Sequence, residues 1–126
     1  MSVFVFGSNL AGRHGKGAAL HALKHHGAKY GQGEGRQGNS YGIPTKDENI
    51  RTLDIQRVTE HVERFLSYAK QHADEMFDVT AIGCGLAGYT PEQIAPLFKD
   101  APSNCNLPAE FRAVLNVKEQ DDETVS

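Results

Sequence analysis

Ten of the thirteen glycines fall between Gly7 and Gly42, a density that no regular helix or sheet tolerates. The first third of the chain must therefore consist of short elements joined by bends. Ser2-Val3-Phe4-Val5-Phe6, β-branched and aromatic and closed by Gly7, predicts a strand buried on both faces. From Gly15 or Lys16 the spacing of Ala18, Ala19, Ala22 and Leu23 predicts a helix to about His26, with Gly27 at a left-handed helix end. Gly31, Gly33, Gly35 and Gly38 predict a loop, and Ser40-Tyr41-Gly42-Ile43-Pro44 a second strand.

Beyond the glycines the pattern is plainer. Leu53, Ile55, Val58, Val62, Phe65, Leu66, Ala69 and Ala73 recur at helical intervals and predict a long helix over residues 52–74. A third strand is expected over residues 77–82, stopped by Gly83-Cys84-Gly85, and Thr90-Pro91-Glu92-Gln93 spells a capping box for a short helix to about Phe98. Alternation over residues 111–117 predicts a fourth strand, and residues 119–126 form an acidic tail with almost nothing to bury, expected to be mobile. The expectation is an α/β/α three-layer sandwich: one domain over residues 1–118, with a mostly parallel sheet of about four core strands.

Composition narrows the function. With 126 residues, 39% hydrophobic and 23% charged, the chain is an ordinary globular domain. Its net charge of −3 argues against bulk attraction to nucleic-acid backbones. No run approaches the roughly 18 apolar residues of a membrane helix, and Met-Ser-Val-Phe-Val-Phe has no basic leader, so no membrane partner and a cytoplasmic location are expected. Two cysteines, Cys84 and Cys105, exclude a disulfide scaffold and a Cys-rich zinc module. His21 and His25 have the i, i+4 spacing of a metal pair, but without H-E-x-x-H they read as surface groups near a helix C-terminus, so neither metal nor cofactor is expected.

In a parallel sheet the ligand crevice lies beyond the carboxyl ends of the strands. Three loops fall there: residues 7–16, 45–51 and 83–89. The first follows a strand and opens a helix, so its main chain can hold an anion, with His14 as an added donor; a turn serving only chain reversal, with a structural His14, is the alternative. Gly7 and Gly12 have the G-x-x-x-x-G spacing of a nucleoside-triphosphate loop, but Arg13-His14 replaces the Lys-Ser or Lys-Thr that phosphate and magnesium need. The dinucleotide G-x-G-x-x-G pattern is absent as well. Lys46 stands just past a strand end, where a ligand or solvent can meet its amine. Tyr89 can stack on a base or ribose, and Cys84, with no base tied to it, reads as a small filler.

Three segments taken together resemble a macro-domain-type fold, in the branch of terminal ADP-ribose glycohydrolases and DNA ADP-ribose-removing antitoxins. Gly15-Lys16-Gly17-Ala18-Ala19-Leu20 is similar to the start of the helix under the distal ribose. Ile43-Pro44-Thr45-Lys46 is similar to that branch's T-K strand end, and Ile82-Gly83-Cys84-Gly85-Leu86 to its phosphate loop. The match covers roughly residues 3–98. The resemblance implies a pared-down macro-like domain that binds ADP-ribose or a related nucleotide diphosphate. Gly12, Gly15, Gly17, Gly83, Cys84, Gly85 and Leu86 would form the phosphate loops and Asn9 would bond the distal ribose. Lys46 is implied to attack or stabilise the anomeric carbon, with Arg51 as a cationic neighbour, removing ADP-ribose from protein or nucleic acid.

Two features depart from that branch. Ala87 stands where some of these hydrolases carry an aspartate, leaving Asp47 as the substitute acid, and the aspartate that reads adenine has no counterpart ahead of the first strand. A non-catalytic sensor or sink for ADP-ribose-type signals, and a structural or protein-interaction domain, are the alternatives.

Overall fold

The computed structural model describes residues 2–116, so the acidic tail expected over residues 119–126 lies outside the described residues. The first strand, β1 (Ser2–Asn9), is followed by α1 (Gly17–His25), β2 (Gly35–Gln37), β3 (Ser40–Lys46), α2 (Ile55–Gln71), β4 (Met76–Val79), α3 (Pro91–Ile94) and β5 (Cys105–Asn106). A one-turn 3-10 helix, Ala95–Phe98, follows α3 directly, and a fourth α-helix, α4, covers residues 109–116. The fold is α/β with one five-stranded mixed sheet in the order β2-β3-β1-β4-β5. β1 pairs in parallel with β3 and with β4, and β4 with β5, whereas β2 runs antiparallel to β3.

Because β1 lies between β3 and β4, its apolar run is covered on both sides. Val3 and Val5 belong to the larger core cluster, with Tyr41, Ile43, Phe65 and Phe77, while Phe6 joins a smaller one with Ala19, Ala22 and Ala28. The strand's period of two sends these alternate residues to opposite faces. Small residues on α1 let its axis approach β1 closely. In α2 the buried stripe is Val58, His61, Val62, Phe65 and Ala69, the helical spacing that the sequence predicts.

Side-chain caps set the ends of α2. Asp54 accepts a hydrogen bond from the Arg57 N–H at 2.9 Å, a standard N-cap. At the far end the buried Asn104 amide lies 2.9 Å from the Ala69 carbonyl oxygen and 3.1 Å from those of His72 and Glu75, so α2 stops at Gln71 rather than near residue 74. The capping box of α3 forms as read, with the Thr90 N–H donating to Gln93 Oε1 at 2.9 Å.

Two expectations are corrected. Residues 111–116 are helical, not a fourth strand: Phe111 is fully buried, Val114 and Leu115 are half-buried, and this i, i+3, i+4 stripe faces the core. The fourth parallel-paired strand is instead β5, and residue 117 lies outside the described residues. The stretch read as a loop between Gly31 and Gly38 contains the edge strand β2. Gln37, 1% exposed, anchors it, its amide oxygen accepting from the Lys29 N–H at 2.8 Å and its amide nitrogen donating to the Gln32 carbonyl at 3.1 Å. No helix among the described residues is long and apolar enough to cross a membrane.

Candidate functional site

The carboxyl ends of β1, β3 and β4 share one edge of the sheet, because the three strands are parallel. Residues following them line a cleft of about 680 Å³, within the range of small-molecule sites. All three loops reach it. It is lined by Gly7, Ser8, Asn9, Arg13 and Gly15–Ala19 from the first, Thr45, Lys46 and Ile50 from the second, and Ile82, Gly83, Gly85, Leu86 and Ala87 from the third, with Tyr30, Thr80 and Ala81.

The loops are cross-linked. The Leu10 N–H donates to the Lys46 carbonyl at 2.9 Å, joining the first to the second. Thr52 Oγ1 donates to the Ala87 carbonyl at 2.8 Å, and the Tyr89 hydroxyl donates to the Leu53 carbonyl, joining the second to the third. Inside the first loop Asn9 closes a ring: its Nδ2 donates to the Arg13 carbonyl and its Oδ1 accepts from the Arg13 N–H, both at 2.9 Å. A rim braced in this way presents a preformed main-chain surface to a ligand.

The glycines divide into two kinds. Gly12, at φ +71, has backbone atoms of Gly31 and Gln32 2.4 Å from where a Cβ would stand, and at Gly33 the Asn9 carbonyl would lie 2.1 Å away. Packing alone demands glycine there. Gly15 and Gly85 have negative φ and nothing within 4 Å of a Cβ. Nothing in the protein itself requires glycine at these two positions, and both line the cleft.

Electrostatics at the cleft run opposite to the chain's net charge. Arg13, Lys16 and Lys46 line it, and no Asp or Glu does among the described residues. The start of α1 has no side-chain cap; Gly17, Ala18 and Ala19, whose N–H groups have no partner within the helix, line the cleft at the positive end of a nine-residue helix. Together these make an anion-binding arrangement.

Of the residues singled out from sequence, the cleft brings together Asn9, Gly15, Gly17, Lys46, Gly83, Gly85 and Leu86, and leaves Gly12, His14, Asp47, Cys84 and Tyr89 outside its lining. His14 is fully buried, and its Nε2 lies 2.9 Å from the Gln32 carbonyl and 3.2 Å from Gln37 Oε1. Two acceptors require Nε2 to carry the hydrogen, so the ring fastens the first loop to the 32–37 segment, while its buried Nδ1 has no hydrogen-bond partner among the described residues. Asp47 turns into its own hairpin, Oδ1 accepting from the Asn49 and Arg51 N–H groups at 2.8 and 3.0 Å. Tyr89 is tied to Leu53, and burial raises its phenol pKa. Cys84 packs against the core, and burial, with Glu110 and Glu92 nearby, raises its thiol pKa, which leaves a poor nucleophile. Arg51, the expected neighbour of Lys46, is exposed and outside the lining.

Four cleft residues escaped the sequence reading: Tyr30, 66% exposed, Ile50, 40% exposed, Thr80 and Ala81. Ile50 is the single non-glycine residue at positive φ, +63, among the described residues, a conformation that costs a β-branched side chain on the order of 1–3 kcal/mol. Its only sequence signal is its place in a strand-end loop. No His, Cys, Asp or Glu cluster able to hold a metal ion is present among the described residues. No family model matches the chain, and no curated protein matches it.

Proposed function

We propose that the cleft binds ADP-ribose or a related nucleotide diphosphate, in a pared-down macro-like α/β/α domain. The observation that carries this reading is the pair Gly15 and Gly85, glycines that the fold itself does not require, lining a cleft to which the described residues bring three cations and no carboxylate. A bare main chain at these positions admits a phosphate close to backbone N–H groups. The uncapped start of α1 supplies donors on one side and the 83–87 loop on the other, with Arg13 and Lys16 screening the charge. A diphosphate matches such a two-sided cradle better than a single phosphate does.

In the catalytic form of the proposal, Lys46 acts on the distal ribose. Its amine, after giving a proton to solvent, adds to the anomeric carbon as the glycosidic bond to the modified group breaks, the leaving atom takes up a proton, and water then releases ADP-ribose and restores the amine. A second reading, binding without turnover, is favoured by a specific observation: Ala87 lines the cleft and Asp47 is held in its own turn, so among the described residues no carboxylate lines the cleft to activate that water.

Calorimetric titration with ADP-ribose, AMP and NAD tests binding, and release of ADP-ribose from modified DNA and modified protein tests turnover. Saturable binding without product supports the second reading. Turnover that survives Lys46→Ala refutes the lysine mechanism, and no binding to any of the three refutes the proposal as a whole. A structural or protein-interaction domain is then the alternative.

A further inference from the structure

Five large apolar side chains are substantially exposed among the described residues, and three of them, Tyr30, Ile50 and Leu86, line the same cleft. Ile50 is unusual among them because its backbone is strained. It belongs to a hairpin closed by the Asp47 N–H donating to the Arg51 carbonyl at 2.8 Å and by a Lys46–Thr52 bridge. Glycine or asparagine suits position 50 better, since both tolerate left-handed backbone. A β-branched residue there opposes both conformational preference and the preference of apolar surface for burial.

The geometry points to Ile50 as a ligand-gripping residue, which with Leu86 forms an apolar clamp on the ring of a nucleoside whose phosphates lie on the cationic loops. This rests on the nucleotide reading of the cleft. The hairpin holds Ile50 on the second loop, while Thr52 fastens that loop to Ala87, next to Leu86 on the third. The two side chains are thus carried on tied loops that line the same cleft. A ligand that is anionic throughout leaves both exposed; one with an apolar ring covers them.

The test compares wild type with Ile50→Gly, Ile50→Asn and Ile50→Val by calorimetry against AMP and against ribose 5-phosphate, which lacks the base, alongside thermal melts. Covering about half of the exposed apolar surface of one isoleucine is worth about fivefold in affinity. The glycine and asparagine variants are therefore expected to bind AMP about fivefold more weakly and ribose 5-phosphate unchanged, and to melt higher than wild type. Ile50→Val is expected to keep AMP affinity. Wild-type binding with equal AMP affinity in the glycine variant overturns the clamp and leaves the nucleotide reading standing. Equal losses for AMP and ribose 5-phosphate also overturn it, because they place Ile50 beside the phosphate or ribose. If wild type, shown to be folded by its thermal melt, binds neither these two nor ADP-ribose or NAD, the nucleotide reading fails and the clamp falls with it; if it binds ADP-ribose but Ile50→Gly binds ADP-ribose equally well, the clamp alone is overturned.

Discussion

Replacing Gly15 or Gly85 by alanine should separate the stability of this protein from its binding. A Cβ at either position meets nothing within 4 Å, and both residues have negative φ, so the folded backbone accepts alanine while the unfolded chain loses freedom. Each substitution is therefore expected to stabilise by about 0.4–1 kcal/mol, read as a melting temperature about 2–4 °C higher. In the cleft the added methyl occupies the space through which a phosphate reaches the main chain. Losing one charge-assisted hydrogen bond costs about 1.5–3 kcal/mol, so ADP-ribose affinity should fall by roughly tenfold to a hundredfold. Gly33→Ala is the control, because its Cβ would sit 2.1 Å from the Asn9 carbonyl and must destabilise the fold. The assay pairs thermal denaturation with calorimetry on the same samples. If the alanine variants melt higher and still bind ADP-ribose as wild type does, the cradle is misplaced. If they melt several degrees lower, these glycines serve the fold and the functional inference from them fails.

Other consequences follow from individual contacts. Asp54→Ala removes the N-cap of α2 and should cost about 1 kcal/mol in urea denaturation, with Asp54→Asn retaining most of it; equal stability of the alanine variant would show that the cap contributes nothing. Tyr89→Phe deletes the hydrogen bond to the Leu53 carbonyl and should destabilise by about 1 kcal/mol, and unchanged melting would contradict the role given to this tie between loops. Burial pushes the Cys105 thiol from 9.0 up to about 11. The unfolded chain therefore releases this proton at lower pH than the folded one, so the thiol's contribution is complete below pH 9.0 and is lost as pH rises toward about 11. Cys105→Ala should flatten the stability profile across that window, and an identical slope in the variant would refute the assignment.

Elements whose apolar residues carry a clear period could be read from sequence, and those defined by distant partners could not. Val3, Phe4, Val5 and Phe6 announce β1, and the stripe from Val58 to Ala69 announces α2, because burial and periodicity coincide there. β2 has only Gly35, Arg36 and Gln37, which carry no apolar signal; it exists through pairing with β3 and through the bonds of the Gln37 amide. At residues 109–116 the run Phe111, Val114, Leu115 fits helical spacing, and Pro108 marks its start, its carbonyl accepting from the Arg112 N–H at 3.1 Å.

The convergence of three loops was legible because parallel strands put their carboxyl ends together. The fates of His14, Asp47 and Tyr89 were not, since each is decided by a local turn or by a partner from another segment: Gln32 and Gln37, the Asn49 and Arg51 N–H groups, and Leu53. Ile50 was hidden for a related reason. Its exposure and strain come from how the hairpin closes, and residue type gives no hint of either.

The most direct test is an amide proton–nitrogen spectrum of the labelled protein titrated with ADP-ribose. Saturable shifts centred on Gly15, Gly17, Ala18, Gly85 and Leu86, with the α2 amides still, are the predicted result. A spectrum that does not move at millimolar ligand, or that moves only at residues away from the three loops, contradicts the account.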